Sequence, residues 1–550
     1  MVVPKIVREA VMFPVVPLPL SVTEADGSFV LSDATPVVVT DPLAAAMAHV
    51  FADDLAVETG LRLDVTSGSG AVHAGAIVCE VAVDDPELAA LGVPQGVRAD
   101  GRAAVSESYA LAVTDDGVRV RGRGAEGVLR GLTVLRQLLV AAPVDPETGA
   151  RTLGAVRVVD SPRYAWRGLS FDVARTFHDV ATVRRVIDLL AMHRMNVLHL
   201  HLTDDQGWRI EVPERPALTQ VGARGAVGDR RGGYYTVEDL RGLVRYAAAR
   251  RVAIVPEIDV PGHSAAMLAA YPELLGDRAA TAGERADGQA GPSTLDPDLE
   301  ATWAVLSDVL DTVVDVFPSR YVHIGGDEAV GMPDDVHAAF VTRFASEVVA
   351  RGRRVVGWQE ASRGLLGPDA LAQHWIDFVP TDGTTVDRSQ FDHVDPALLD
   401  VLVEMFSKAP ADVGRTLDQG ARAIVSPTAH AYLDRQYSAP SDDPAQEADR
   451  ARLGLPAYAP GTVEDFYSWE PSTAVHALPA EAVAGVEAAI WCESVTDARD
   501  LDLLLLPRLA GLAERAWSPA GASSYADHAT RVAAVAPAWE TRGHDWFRAL

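Results

Sequence analysis

The segment NVLHLHLTD, residues 196–204, is an apolar run of strand length that ends in polar residues. Seven further segments share this form: RGLSFDVA, VAIVPEID, YVHIGGDE, RVVGWQE, LAQHWID, ARAIVSP and GVEAAIWCE. Stretches with helical spacing, such as ATVRRVIDLLAMHRM and EATWAVLSDVLDTVVDVF, fill several of the gaps between them. Because apolar strands that alternate with helices form parallel sheets, the eight segments predict an α/β fold, a (β/α)₈ TIM barrel.

The chain before the barrel follows a different pattern. TPVVVT and GVRVRG read as strands, and GAEGVLRGLTVLRQLLV carries apolar residues at helical spacing. The pattern changes at VRVVDSPRYAW, residues 156–166. We therefore predict a small accessory α+β domain over residues 11–160 and a catalytic barrel over residues 161–550, with a C-terminal helix within 525–548.

Composition narrows the function classes. The formal net charge of −29 makes binding to nucleic acid or to an anionic membrane surface through bulk electrostatics unfavourable. Two cysteines exclude a disulfide framework. No stretch reaches the ~18 apolar residues of a membrane span, and the first 20 residues lack the pattern of a signal peptide. We expect no nucleic-acid or membrane partner, and a cytoplasmic protein, or a secreted one if an export signal has been removed.

Polar and aromatic residues collect at the carboxyl ends of the predicted strands, where the active site of such a barrel lies. Aromatic residues supply flat faces for sugar C–H groups, and Asp, Glu and Arg supply bidentate hydrogen bonds to hydroxyl pairs. The set therefore favours carbohydrate chemistry. In strand order it comprises Asp172, Arg175, His199, His201, Asp204, Asp205, Glu257, Asp259, His263, Asp327, Glu328, Trp358, Trp375, Tyr432, Asp434, Trp491 and Glu493.

The fourth strand end, YVHIGGDEAV at residues 321–330, sets two acids side by side. Neighbouring residues on a strand point to opposite faces, so we expect Asp327 and Glu328 to have different tasks if the strand ends there. Different surroundings would also move their pKa values apart.

The sequence resembles the family 20 glycoside hydrolases, the β-N-acetylhexosaminidases, over most of its length. RGLSFDVARTF, NVLHLHLTDDQGWRIE, GGYYT, VPEIDVPGH and HIGGDEA look like that family's barrel signatures, in its order. VVPLPLSV and GLTVLRQLL look like its accessory N-terminal domain. HIGGDE together with HLTDDQGWR is highly specific to the family.

The resemblance implies a role for each matching position. The catalytic residues would be Glu328 as general acid/base, Asp327 to orient the substrate's 2-acetamido group, and Tyr432 to donate a hydrogen bond to its oxygen. Two groups of residues would bind the substrate. Trp358, Trp375 and Trp491 would form the walls of a pocket for the acetamido group, and Arg175, Asp434 and Glu493 would bind sugar hydroxyls. Supporting the acid pair would be Asp204, Asp259 and His263.

The family's chemistry also comes from the resemblance, not from residue spacing. It implies an exo-acting, retaining enzyme that removes terminal non-reducing β-linked GlcNAc or GalNAc, with the substrate's own acetamido oxygen as nucleophile and an oxazolinium intermediate. No metal or organic cofactor is implied. The partner would be an oligosaccharide or glycoconjugate that ends in an N-acetylhexosamine.

Two other functions compete with this interpretation. His199 and His201 lie two apart on one strand and therefore share a face, as metal ligands would in an amidohydrolase-like barrel. The second alternative is a carbohydrate-binding barrel that has lost catalysis, although Glu328, Asp327 and Tyr432 are all present.

Several single residues have structural interpretations. Many family members carry a Trp in the loop before the last strand, where Tyr458 is the candidate substitute here. We expect Cys492 to be inert core, Asp205 to cap a helix or loop, and Arg209 and Glu211 to stabilise a loop.

Overall fold

The computed structural model describes residues 13–68, 74–280, 294–379 and 402–550. Residues 11 and 12 of the predicted accessory domain lie outside the described residues. The accessory domain is a seven-stranded mixed sheet in the order β1-β7-β5-β6-β4-β2-β3. Its strands are β1 (Ser21–Leu31), β2 (Val37–Val39), β3 (Val65–Ser67), β4 (Ala76–Val81), β5 (Tyr109–Thr114), β6 (Gly117–Gly122) and β7 (Arg151–Asp160).

Two long helices, Pro42–Thr59 and Ala125–Ala141, share one hydrophobic core with this sheet. The side chain of Asp41 caps the first by accepting a hydrogen bond from the backbone of Leu43. The second is buried along almost all of its length because it also packs on the C-terminal helix Tyr525–Thr541. The predicted α+β domain and the predicted C-terminal helix are both confirmed.

The remaining chain forms a closed barrel of eight parallel strands. All eight segments predicted from the sequence are barrel strands, which confirms the (β/α)₈ fold. A two-stranded hairpin of β10 (Thr203–Asp204) and β11 (Gly207–Trp208) follows the second barrel strand. The barrel strands are β8 (Trp166–Asp172), β9 (Val197–His201), β12 (Ala253–Glu257), β13 (Tyr321–His323), β14 (Arg354–Trp358), β15 (Leu371–His374), β16 (Arg422–Val425) and β17 (Val483–Ile490).

Helices pack around the barrel, and the two helical patterns quoted above, Val180–Met192 and Glu300–Val316, are among them. None of the helices in the described ranges is long and apolar enough to cross a membrane. Other α-helices of the described chain include Pro86–Ala89, Val237–Ala249, Ala265–Ala270, Asp334–Ala350, Asp412–Asp418, Thr428–Ala431, Glu447–Arg452, Pro471–Ala474, Ala498–Leu505 and Arg508–Trp517.

One layer of buried side chains fills the barrel near the amino ends of its strands, and each strand contributes one residue. They are Trp166, Val197, Val255, Tyr321, Val356, Leu371, Ile424 and Ala484. The segment around Val97 and Ala99, which connects β4 to β5 of the accessory domain, packs on this layer. Because apolar side chains close that end, the polar side chains occupy the opposite, carboxyl ends of the strands.

Buried polar contacts join the two domains. Asp160, at the end of β7, is fully buried, and its Oδ2 accepts hydrogen bonds from Tyr109, Arg194 and Trp517 at 2.7–3.0 Å. At the far end of the chain, Arg542 pairs with Asp54 and Glu58 on the first accessory helix, at 2.9 and 2.6 Å. We propose that the boundary between the domains lies at residues 160/161, just before β8.

Candidate active site

The acid pair lies in a loop, not on a strand. The strand β13 ends at His323, four residues before Asp327, so the prediction that the two acids share a strand end is wrong. The intervening Gly325 and Gly326 have φ values of 65° and 93°, and Glu328 itself has a φ of 42°. The left-handed backbone turns the chain sharply, so that this turn, rather than strand alternation, gives the two carboxylates different surroundings.

Asp259 holds this turn in place. Its Oδ1 accepts a hydrogen bond from the backbone N–H of Gly326 at 3.1 Å. A Cβ atom on Gly325 would lie 1.7 Å from the same oxygen, so only glycine fits there. Burial raises the pKa of Asp259 to about 7, and the negative charge of Glu257 adds to the effect.

The two acids differ in exposure. The side chain of Asp327 is 13% exposed and that of Glu328 is 32% exposed. Burial, followed by the charges of Asp259 and Glu328, raises the pKa of Asp327 well above its usual range. The Oδ1 atom of Asp327 is buried and has no hydrogen-bond partner within the described ranges of the chain. One acid is therefore accessible for proton exchange, and the other presents an unpaired oxygen to the site.

His263 lies between the acid pair and Asp204. Its Nε2 is 3.6 Å from an oxygen of Asp327 and 3.6 Å from one of Glu328, while its Nδ1 is 3.2 Å from Asp204. Burial would lower the pKa of His263, but the charges of Asp204 and Asp259 outweigh it and raise that pKa well above its usual range. The cationic form of the imidazole is therefore favoured, and the side chains of both acids face it.

Asp204 is buried among positive groups. It pairs with Arg175 at 2.8 Å and with His201 at 3.1 Å, in addition to His263. Although burial opposes ionisation, the charges of Arg175 and His263 hold the pKa of Asp204 well below its usual range. The guanidinium of Arg175 also lies 4.9 Å from the centre of the Trp491 ring and 4.0 Å from Glu493.

An aromatic wall stands at the ends of the last four strands. The rings of Trp375 and Tyr432 are nearly parallel, with centres 6.1 Å apart, and Trp491 lies 5.8 Å from Tyr432. Trp358 lies 5.7 Å from Trp491. Tyr458 packs edge-on against Tyr432 at 5.5 Å. The three predicted tryptophans and Tyr432 thus come together, and Tyr458 reaches the same cluster.

Asp434 and Glu493 offer carboxyl oxygens that no group among the described residues satisfies. Both oxygens of Asp434 and Oε2 of Glu493 are buried without a hydrogen-bond partner in that part of the chain. Burial and the charge of Glu493 raise the pKa of Asp434 well above its usual range. Burial also raises the pKa of Glu493 to about 7, against the lowering effect of Arg175. Unsatisfied buried oxygens are costly, so these groups are suited to bind the hydroxyls of a ligand.

Glu257 was named as a strand end in the sequence but was given no role. Its Oε1 accepts a hydrogen bond from the indole N–H of Trp358 at 2.8 Å. Its Oε2 lies 2.5 Å from Nδ1 of His201 and 3.1 Å from Nε2 of His199. Glu257 therefore orients the Trp358 ring and joins it to the His201–Asp204 pair. In the sequence, only its position at the end of an apolar strand indicates that Glu257 lies at the site.

Glu487 and Glu360 were missed entirely. Glu487 lies in the middle of β17, where it accepts hydrogen bonds from Trp166 at 2.6 Å and lies 2.9 Å from His199. Glu360 follows β14 and accepts one from the indole N–H of Trp375 at 3.1 Å. A carboxylate inside an apolar strand is itself a signal, because it must have polar partners to be buried.

Groups of ligating atoms that could hold a metal ion do occur in the described chain, including His199 with Glu257 and His323, and His201 with Asp204 and Asp259. The acids in these groups already face cations. Both nitrogens of His199 lie near carboxylates, and Arg175 pairs with Asp204. This pairing does not favour a metal centre, and the expectation of no cofactor stays a prediction.

The smaller structural predictions agree with the contacts. Cys492 is fully buried in the core, where burial raises the pKa of its thiol. Asp205 accepts a hydrogen bond from the backbone of Ala265, at the start of helix Ala265–Ala270. The Arg209 guanidinium donates hydrogen bonds to backbone carbonyls of the surrounding loops, and Glu211 accepts one from the backbone of Val237.

Comparison with known families assigns most of the chain. Residues 164–520 match the family model of the glycosyl hydrolase family 20 catalytic domain, and residues 12–161 match that of domain 2 of the same family. The chain belongs to glycosyl hydrolase family 20. It is a glycoside hydrolase of the β-N-acetylhexosaminidase family, and the amidohydrolase and inactive-barrel alternatives are not supported.

Relatives of this family 20 enzyme match along its full length. A β-N-acetylhexosaminidase of Cellulomonas fimi is 37% identical, and the match covers 97% of this chain and 95% of that one. The structure of the family 20 β-N-acetylhexosaminidase of Streptomyces coelicolor A3(2) matches with a TM-score of 0.80 and 34% identity, over 98% of both chains. A variant Streptomyces plicatus β-hexosaminidase, solved with its product GlcNAc, matches with a TM-score of 0.79 and 34% identity, over 98% of this chain and 97% of that one.

Proposed function

We propose that the protein is an exo-acting, retaining β-N-acetylhexosaminidase that removes terminal non-reducing β-linked GlcNAc or GalNAc from oligosaccharides or glycoconjugates. The acetamido oxygen of the substrate would attack the anomeric carbon, give an oxazolinium intermediate, and leave water to open it. The observation that carries the proposal is the adjacent acid pair, with one member accessible and the other holding a buried, unpaired oxygen.

Glu328 would protonate the glycosidic oxygen as the leaving group departs and then take a proton from the attacking water. It is the more exposed acid of the pair, so its proton can exchange with solvent. The cationic His263 at 3.6 Å would stabilise the carboxylate that remains after the proton has been given away.

Asp327 would accept a hydrogen bond from the acetamido N–H. In the free enzyme its ionised form is disfavoured by burial and by neighbouring acids. Positive charge that develops on the acetamido group as the ring closes would favour the ionised form. The interaction is therefore stronger in the transition state than in the bound substrate, which is the condition for catalysis.

The remaining residues would bind the sugar. Tyr432 would donate its hydroxyl proton to the acetamido oxygen, since burial raises the pKa of that phenol well above its usual range and keeps it protonated. Trp358, Trp375 and Trp491 would enclose the acetamido methyl group. Sugar hydroxyls would pair with Arg175, Asp434 and Glu493, and we propose that Asp204, Asp259 and His263 position the acid pair.

The test compares aryl β-GlcNAc and β-GalNAc substrates with the matching β-glucoside. Without a 2-acetamido group the nucleophile is missing and Asp327 has no hydrogen-bond donor to meet. We therefore expect kcat for the glucoside to fall along with a rise in KM. Comparable kcat values would show that an enzyme carboxylate attacks the sugar, and would overturn the substrate-assisted mechanism.

A further inference from the structure

A cavity of about 410 Å³ lies beside Glu328. Its volume falls within the range of roughly 300–1,000 Å³ that is typical of small-molecule sites. The lining comes from the loop after β13, from the turn after β14, and from residues around 404–408. Of the three proposed catalytic residues, the described lining includes Glu328 alone, and it includes neither the aromatic wall nor the proposed hydroxyl-binding residues.

This position has a chemical meaning. Glu328 would give its proton to the glycosidic oxygen, so it stands between the terminal sugar and the group that leaves. A cavity that reaches Glu328 but is not lined by the terminal-sugar residues is therefore placed where the leaving group continues.

Glu360 gives the cavity a buried polar group. The residue is 1% exposed, and its Oε1 has no hydrogen-bond partner among the residues that the structure describes, while Oε2 accepts a hydrogen bond from Trp375. Burial and the charge of Asp327 raise the pKa of Glu360 well above its usual range. Its protonated form is therefore favoured over that of an ordinary glutamate, and a protonated carboxyl can both donate to and accept from a sugar hydroxyl.

The charges of the lining disfavour an anion. Its two cations already have carboxylate partners, since Arg363 pairs with Asp412 at 2.9 Å and Lys408 pairs with Asp334 at 2.7 Å. The Glu404 carboxylate is exposed and has no ion pair in the described part of the chain. His337, which also lines the cavity, is uncharged because burial lowers its pKa. The remaining surface is apolar, from Val330, Met332, Pro333 and Met405.

We infer that this cavity holds the first sugar of the leaving group, and that it accepts a neutral or cationic sugar and disfavours an anionic one. The inference rests on the proposed function and adds the class of substrate to it. Glu404 supplies a negative charge that has no ion-pair partner among the described residues, and Glu360 supplies the buried hydrogen-bonding group.

The test uses three disaccharides with the same GlcNAcβ1–4 bond, to GlcNAc, to glucosamine and to glucuronic acid, with the purified full chain. If the carboxylates of Glu404 and of the sugar are about 8 Å apart in an effective dielectric constant near 40, their repulsion lowers kcat/KM roughly fivefold. We expect kcat/KM for the glucuronic acid substrate to be roughly fivefold lower than for the neutral GlcNAc substrate, and kcat/KM for the cationic glucosamine substrate to be roughly fivefold higher. In Glu404→Lys the ratio of anionic to neutral kcat/KM should rise at least fivefold.

Glu147→Lys is the matched control, because it makes the same change in net charge at an exposed position of the accessory domain. It should leave the ratio unchanged. Equal cleavage of the anionic and neutral substrates by the unaltered protein would overturn the inference, and so would a ratio that Glu404→Lys does not move. Failure to hydrolyse aryl β-GlcNAc at all would instead refute the proposed function, and the inference with it.

Discussion

Replacing His199 with asparagine removes a buried cation from between two acids. His199 is 1% exposed, and its nitrogens lie 3.1 Å from Glu257 and 2.9 Å from Glu487. Burial alone would lower the pKa of His199, but these two carboxylates raise it to about 9 from a reference value of 6.5. A shift of that size corresponds to about 3 kcal/mol of folding free energy.

The sign of the pH dependence follows from the raised pKa. The contribution is present below the unfolded value near 6.5 and is lost as pH rises through about 9. His199→Asn should therefore destabilise the protein by about 3 kcal/mol at pH 6, and by much less at pH 9.5. An unfolding entropy of roughly 2.1 cal/mol/K per residue, applied to 550 residues, converts this into a difference in Tm of about 3 °C.

The measurement is the Tm of the variant and of the unaltered protein at both pH values. His476→Asn, at an exposed position, is the matched control and should show no difference. A loss of equal size at pH 6 and pH 9.5 would refute the assignment of a charged His199, since the buried imidazole would then contribute by packing alone.

Four further substitutions test the site directly. Glu328→Gln should reduce the hydrolysis rate roughly 10²–10⁴-fold, with the smallest loss for dinitrophenyl glycosides, whose leaving group needs little protonation; equal losses across leaving groups would contradict the acid role. Asp327→Asn and Tyr432→Phe should both weaken the binding of thiazoline mimics of the intermediate, measured by inhibition, and unchanged affinity in either would remove that residue from acetamido binding. Gly325→Ala should abolish activity, because its Cβ would lie 1.7 Å from a carboxylate oxygen at a φ of 65°, whereas Gly352→Ala, with a φ of 76° and open space around it, should remain active.

The fold and the position of the site could be predicted because they depend on local pattern. Each barrel strand is an apolar run of its own, and parallel strands bring their carboxyl ends to one rim whatever the rest of the chain does. The sequence alone therefore predicts that residues following those runs, such as Arg175 and Glu493, lie near one another.

The support beneath the site could not be predicted, since it depends on which strands are neighbours in space and on the directions of side chains. Glu257 meets Trp358 and His201, which come from two other strands. The sequence predicts a strand end at Gly325–Gly326, although two glycines after an apolar run are compatible with an extended strand and with a left-handed turn alike. The contact with Asp259 requires the left-handed backbone, and no local pattern in the sequence reports it.

The ion pairs of Arg542 with Asp54 and Glu58 join a helix near the start of the chain to its end, so they form late in synthesis. The accessory helix that carries these acids leaves the ribosome early, and Arg542 follows about 480 residues later. At roughly 5–20 residues per second, that delay is about 25–100 s. Until then, the cations that face these acids are Arg136, from the same domain, and Arg250 of the barrel, which lies 3.9 Å from Asp54. The ion pairs of Asp54 and Glu58 with Arg542 can therefore form only after the C-terminal helix has been synthesised.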